Sequence, residues 1–140
     1  MSLDLMINFD GDCRQAIEFY AKVFETEPQG TMTYGQAPHT AGYTVPEAAK
    51  ERIMYSAMQI HGVTVMLMDY PPGMPLVKGD NISPTITSKD MEEIRRLFAA
   101  LKTGGEVDME LQETFYSALT GAVTDQFGVG WQLVHDSGRF

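Results

Sequence analysis

The sequence is poor in the residues that most often carry chemistry. Its 140 residues include one cysteine, one tryptophan and three histidines. A lone Cys13 excludes an internal disulfide framework and a cysteine-rich zinc site. Basic residues are scarce too: ten Lys and Arg stand against nineteen Asp and Glu, a net charge of −9. That balance argues against nucleic acid or an anionic membrane surface as the main partner. No apolar run approaches the roughly 20 residues that span a bilayer, and no signal-peptide pattern opens the chain. The expectation is a soluble, cytoplasmic domain. A chain of this length buries roughly 68% of its unfolded surface, enough for a core without staples. What the sequence does have is methionine, ten copies of it.

Two segments read as amphipathic helices. Asp12 is the N-cap expected for the first, with Gln15 three residues on as a capping box requires. Cys13, Ala16, Ile17, Tyr20, Val23 and Phe24 then recur at helical spacing. Asp90 and Glu93 play the same parts for the second, whose stripe is Met91, Ile94, Leu97, Phe98 and Leu101. Gly104-Gly105 is its expected end. The remaining segments read as strands. Leu3 to Phe9 and Asn81 to Thr87 each lead into a helix. Arg52 to Ile60 and Val63 to Asp69 flank the two-residue turn His61-Gly62. Gly121 to Asp125 and Val129 to Val134 flank Gln126-Phe127-Gly128. Gly30 to Gly35 and Glu106 to Gln112 supply one strand more each.

These pieces repeat. A shift of 78 residues brings Asp12 onto Asp90, Tyr20 onto Phe98 and Tyr34 onto Gln112. Near the ends of the halves the shift is 66, bringing Gly62 onto Gly128 and Met66 onto Gln132. The difference is an insertion, Ala37 to Glu51, within which Pro46 to Lys50 reads as a short helix opened by proline. Each half is strand–helix–strand–strand–strand. One such unit leaves a sheet face bare, so the expectation is an α+β fold of two tandem βαβββ modules enclosing a U-shaped cleft. Module one covers about residues 1–70 and module two about 78–136, within a single domain over 1–140. Pro71-Pro72-Gly73-Met74-Pro75 reads as the connection.

Several local strings, in order along nearly the whole chain, resemble the vicinal oxygen chelate superfamily, the glyoxalase/bleomycin-resistance/dioxygenase group, and within it the PhnB-like branch. They are Asn8 to Tyr20, Tyr34 to Pro38, Val65 to Asp69, Gln112 to Tyr116, and Val123 to Trp131. The resemblance implies paired βαβββ modules and a homodimer. Proteins of this branch often carry a 3-demethylubiquinone methyltransferase label. Nothing in the chain resembles the glycine-rich loop of a Rossmann-type methyltransferase, so that label is discounted here.

Metal-using members of the superfamily hold a divalent ion with inward His, Glu or Gln side chains from the first and last strand of each module. The first-strand ligand lies about seven residues before the helix cap. Counting back from Asp12 and Asp90 gives Leu5 and Ser83; the last-strand positions are Met66 and Gln132. Leucine cannot coordinate, and methionine suits copper(I) better than zinc or iron. A two-residue error in register brings in no His, Asp or Glu. The resemblance thus implies no metal and no cofactor in the usual place, and whether the chain is an enzyme stays open. Tyr55 stands where this branch often has a histidine.

Other candidates have plain structural readings. His61 fits an exposed turn, His135 follows the last strand, and His39 lies in the insertion, which is a candidate lid. Cys13 is at a helix N-terminus, where the dipole lowers a thiol pKa, but it lies on the apolar stripe with no basic partner and reads as a core residue. Alternation puts Asn81, Ser83 and Thr85 on one strand face, with Ile82 and Ile86 against the second helix on the other. The polar face either meets a ligand or forms an inter-strand network. Met66 and Met68 share a face directed at the cleft, and Met54 and Met58 share one on the neighbouring strand; methionines line adaptable apolar sites and also fill cores. Tyr34, Gln112 and Trp131 are divided between site and core, and Phe115-Tyr116 between cleft and subunit interface. The resulting expectation is a homodimer that binds a small apolar or aromatic molecule without metal. Ser83, Gln132 and Tyr55 orient the ligand while Met66 and Leu5 pack on it. A metal-dependent lyase or dioxygenase with other ligands, and a dimer without ligand, are the alternatives.

Overall fold

The computed structural model describes residues 1–37 and 44–139. His39 lies outside the described residues, with the rest of 38–43 in the candidate lid. The chain forms two compact units, Met1–Val77 and Lys78–Phe140.

In unit 1, β1 (Leu5–Phe9) leads into α1 (Cys13–Val23), followed by β2 (Gln29–Thr33), β3 (Ile53–Ile60) and β4 (Val63–Asp69). The sheet order is β1-β4-β3-β2, with β1 parallel to β4 and the other pairs antiparallel. Unit 2 repeats this plan. Its elements are β5 (Thr85–Ser88), α2 (Met91–Leu101), β6 (Glu106–Gln112), β7 (Thr120–Thr124) and β8 (Gly130–His135), in the order β5-β8-β7-β6. Pro46 immediately precedes a short 3-10 turn at Glu47–Ala49.

Helix α1 buries Cys13, Ala16, Ile17, Tyr20 and Val23, the stripe that the 3.6-residue period predicts. It covers the sheet face carrying Phe9, whose ring lies 6.4 Å from that of Tyr20. Val65, Leu67 and Met58 lie on the same face and are buried. In unit 2, α2 buries Ile94, Leu97, Phe98 and Leu101. The Gly121 backbone passes so close to Phe98 that a Cβ there would lie 3.0 Å from its ring. Leu133, Val123 and Trp131 complete that core.

The helix caps differ. The Asp90 Oδ1 accepts from the backbone N–H groups of Glu92 (2.9 Å) and Glu93 (3.4 Å), as expected. The Asp12 side chain makes no capping bond. Its place is taken by Asp69, buried at the end of β4, whose Oδ1 accepts from Gly11 N–H (2.7 Å) and Cys13 N–H (3.1 Å). The β3–β4 turn follows the sequence: His61 and Gly62 both have positive φ, 48° and 83°, the backbone that a two-residue hairpin requires.

One expected strand is much shorter than its hydrophobic pattern suggests. Residues 81–84 precede β5, and Ile82 is 74% exposed rather than packed on α2. Pro84 lacks an N–H for the ladder, although its carbonyl does accept from Gln132 N–H at 2.9 Å. Ile86 packs as expected, at 6% exposure.

Candidate functional site

Each sheet has a helix-covered face and a helix-free face, and strand register assigns residues between them. In unit 1 the parallel pairs are Leu5 with Val65, Met6 with Met66, Ile7 with Leu67 and Asn8 with Met68. Paired residues project to the same side. Leu5 therefore belongs with Val65 and Leu67 under the helix, and it does not join Met66. Met6 does, with Asn8, Met66 and Met68. Ala57 pairs with Met66 and Gln59 with Thr64, and alternation adds Tyr55 to this face. Met6 and Tyr55 are 46% and 42% exposed. Met58, expected beside Met54 as a site residue or core filler, is core and fully buried. Met54 packs against Tyr34, Val45 and Ala49.

In unit 2, Gln132 pairs with Thr85 on one side and Ala122 on the other. Ser83 precedes the strand, and its Oγ lies 3.8 Å from the point a Gly130 Cβ would occupy. Gly130 and Gln132 are two residues apart in β8, so Ser83, Thr85 and Gln132 lie on the same helix-free face. This face is polar where that of unit 1 is rich in thioethers. Thr124 joins it through its partner Gly130, its hydroxyl donating to Asp108 Oδ2 at 2.7 Å.

Leu5 and Met66 fall on different faces for a definite reason. Three residues, Asp10, Gly11 and Asp12, separate β1 from α1, whereas two, Lys89 and Asp90, separate β5 from α2. The helices correspond at a shift of 78 and the preceding strands at 79. A count from the helix cap is then one residue out, and one residue changes the face. By register, Met6 corresponds to Thr85, and Asp4, just before β1, to Ser83.

These positions do not fit the hard divalent ion of the superfamily. Such ions take carboxylates and imidazoles in number. The two faces offer thioethers, hydroxyls, the amides of Asn8, Gln59 and Gln132, the carboxylates of Glu106 and Asp108 beside Thr124 and, at the margin, the exposed Asp4 carboxylate, which accepts from Ser2 Oγ at 3.4 Å. Among the described residues no three His, Cys, Asp or Glu side chains gather at one point.

The remaining candidates have structural partners. The Tyr34 hydroxyl donates to the Asp69 carbonyl oxygen (2.8 Å), and Trp131 Nε1–H donates to Asp125 Oδ2 (2.9 Å). Gln112 is exposed, and its Nε2 donates to the Glu110 carbonyl oxygen. The His61 ring meets Phe24 edge-on. His135 bridges Ser137 Oγ through Nδ1 and the Lys89 carbonyl through Nε2. Because a carbonyl only accepts, Nε2 donates to the Lys89 oxygen. Cys13 is fully buried. Burial pushes its thiol pKa well up, and the negative charges of Asp69 and Asp12 add to this against a smaller opposing effect of Arg14. It is the reverse of an activated thiol. Phe115 is 80% exposed and stacks edge-on with Tyr116.

Two βαβββ units with this strand order define a protein of the glyoxalase/bleomycin-resistance fold. The fosfomycin resistance protein FosX of Listeria monocytogenes shares that fold, with a TM-score of 0.68 at 12% identity, covering 100% of this chain and 98% of FosX. Protein PA1353 of Pseudomonas aeruginosa superposes with a TM-score of 0.82 at 29% identity, covering 96% of this chain and 98% of that one. The chain belongs to the family described as 3-demethylubiquinone-9 3-methyltransferase, which matches residues 2–134, and this is the PhnB-like branch of the vicinal oxygen chelate superfamily. Protein YjdN of Escherichia coli is 30% identical over 143 residues, 95% of this chain and 94% of the relative. No helix among the described residues is long and apolar enough to cross a membrane.

Proposed function

We propose that this protein binds a small apolar or aromatic molecule on its helix-free sheet faces, without a divalent metal, and works as a homodimer. The observation that carries the reading is the exposure of Met6 and Tyr55, 46% and 42%, on a sheet face that α1 does not cover. Methionine provides an adaptable apolar surface, and tyrosine adds a stacking ring with a hydroxyl. Unit 2 has a helix-free face of its own, on which Ser83, Thr85 and Gln132 supply neutral donors and acceptors of the kind found in small-molecule sites. Leu5 has no place in this reading, since its register puts it under α1; Met6 replaces it beside Met66. Methyl transfer is not part of the proposal: both units are mixed four-stranded sheets, not the doubly wound parallel sheet whose first turn holds a nucleotide-like cofactor.

The test is a thermal-shift screen of aromatic and apolar metabolites. A ligand present at 100 times its dissociation constant stabilises by about 2.7 kcal/mol. Tyr55→Ala should weaken a ligand held on unit 1, and Gln132→Ala one held on unit 2, without lowering the stability of the free protein by a similar amount. A full equivalent of zinc, nickel or iron in the purified protein would sink the reading, as would a ligand indifferent to both substitutions.

A further inference from the structure

The disagreement between the superfamily's hard-ion site and this chain's donors has a chemical direction. Met6 and Met66 are register partners across β1 and β4, and Met68 follows two residues on, beside Asn8. Adjacent strands lie about 4.8 Å apart, and same-face residues along a strand about 6.6–6.8 Å. Each methionine side chain has three rotatable bonds beyond its Cα. Three such arms rooted at this spacing can bring their sulfurs to one point above the sheet. Met6 is 46% exposed, and Met66 and Met68 are half-buried, so the group is accessible. Packing does not account for the methionines by itself, because the core of this unit is built on the opposite face from Phe9, Val65, Leu67 and the fully buried Met58.

We infer that Met6, Met66 and Met68 form a binding site for a soft monovalent cation, copper(I) by chemical class, on the helix-free face of unit 1. Thioether sulfur is a soft donor that selects copper(I) over zinc, magnesium or calcium. The neighbouring strand positions Asn8, Ala57 and Thr64 carry no carboxylate or imidazole that would turn the selection towards a hard ion. Cys13, the one thiol of the chain, is fully buried on the inner face of α1 and belongs to the opposite side of the sheet. The site shares its face with the proposed small-molecule surface and does not depend on it.

Silver(I) is the redox-inert probe. The whole protein is titrated with silver nitrate in chloride-free, thiol-free buffer, and binding is followed by calorimetry. One equivalent is expected to bind per chain. Met6→Leu and Met66→Leu should each weaken it at least about tenfold, a change of 1.4 kcal/mol or more, while Met74→Leu, at an exposed methionine outside the strands, should leave it unchanged. Methionine-to-leucine changes conserve volume and keep the fold. The variant with Met6, Met66 and Met68 all changed to leucine retains Cys13 and should bind no silver. Silver binding in that variant equal to the original protein would place the ion elsewhere and overturn the inference. So would displacement of silver(I) by equimolar zinc(II). Silver binding retained in Tyr55→Ala, which removes a residue of the proposed small-molecule surface and none of the three sulfurs, would separate this site from the proposed function.

Discussion

The carboxylate of Asp69 accepts the backbone N–H of Cys13 at 3.1 Å, so the first helix is closed by a residue from the end of β4. The same carboxylate accepts from Gly11 N–H at 2.7 Å and, through its other oxygen, from Ile53 N–H at 2.9 Å. One buried side chain thus ties the start of α1 to the start of β3. Asp69→Ala would strand three backbone donors, and we expect a loss of about 3–5 kcal/mol. Asp12→Ala should cost less than about 0.5 kcal/mol. Urea unfolding of the two variants checks this, and equal losses would contradict the assignment.

The buried Cys13 thiol makes stability fall at alkaline pH. Its folded-state pKa is raised, chiefly by burial, above the ordinary value of 9.0. The unfolded chain therefore releases this proton first. The stabilisation is complete below about pH 9 and declines as pH rises beyond it, by up to about 1.4 kcal/mol per pH unit. Unfolding measured between pH 8 and pH 11 should show this slope, reduced in Cys13→Ala. An alkylating reagent should label Cys13 only as fast as the chain opens.

Two glycines separate steric from conformational demand. A Cβ on Gly105 would press on the Thr124 carbonyl and lie 2.8 Å from the Asp125 carbonyl carbon, both backbone. Gly105→Ala should cost about 3 kcal/mol or more. Gly62 has open space around it but a φ of +83°, so Gly62→Ala should cost only about 1 kcal/mol. Thermal unfolding orders the pair.

The face assignment of β1 is open to direct measurement. Leu5→Ala removes side-chain volume beneath α1 and should destabilise by about 1–2 kcal/mol. Met6→Ala acts on the half-exposed face and should cost less than about 1 kcal/mol. The reverse order, read by denaturant midpoint, would show that the strand sits one residue out of the described register.

Legibility in the sequence varied with how local the signal was. Strand β4, Val63–Asp69, and strand β6, Glu106–Gln112, have the bounds that alternation and the flanking turns give. The buried stripes of both helices follow from spacing alone. Asp90 caps as its position suggests, because its partners are two and three residues away. Asp12 carries the same local signature and does not cap, because Asp69 reaches its helix from 56 residues further along the chain. Ile82 fits the alternation of a strand that does not extend so far back.

The sequence by itself determined the repeated strand–helix–strand–strand–strand plan, the core stripes, and the scarcity of histidine and cysteine. Those depend on period and composition, which are properties of neighbouring residues. Tertiary structure alone decided which methionine stands beside Met66. The two modules differ by one residue between first strand and helix, and a strand changes face at every residue. Pairing with β4 sets the register, so Met6 rather than Leu5 shares the face of Met66.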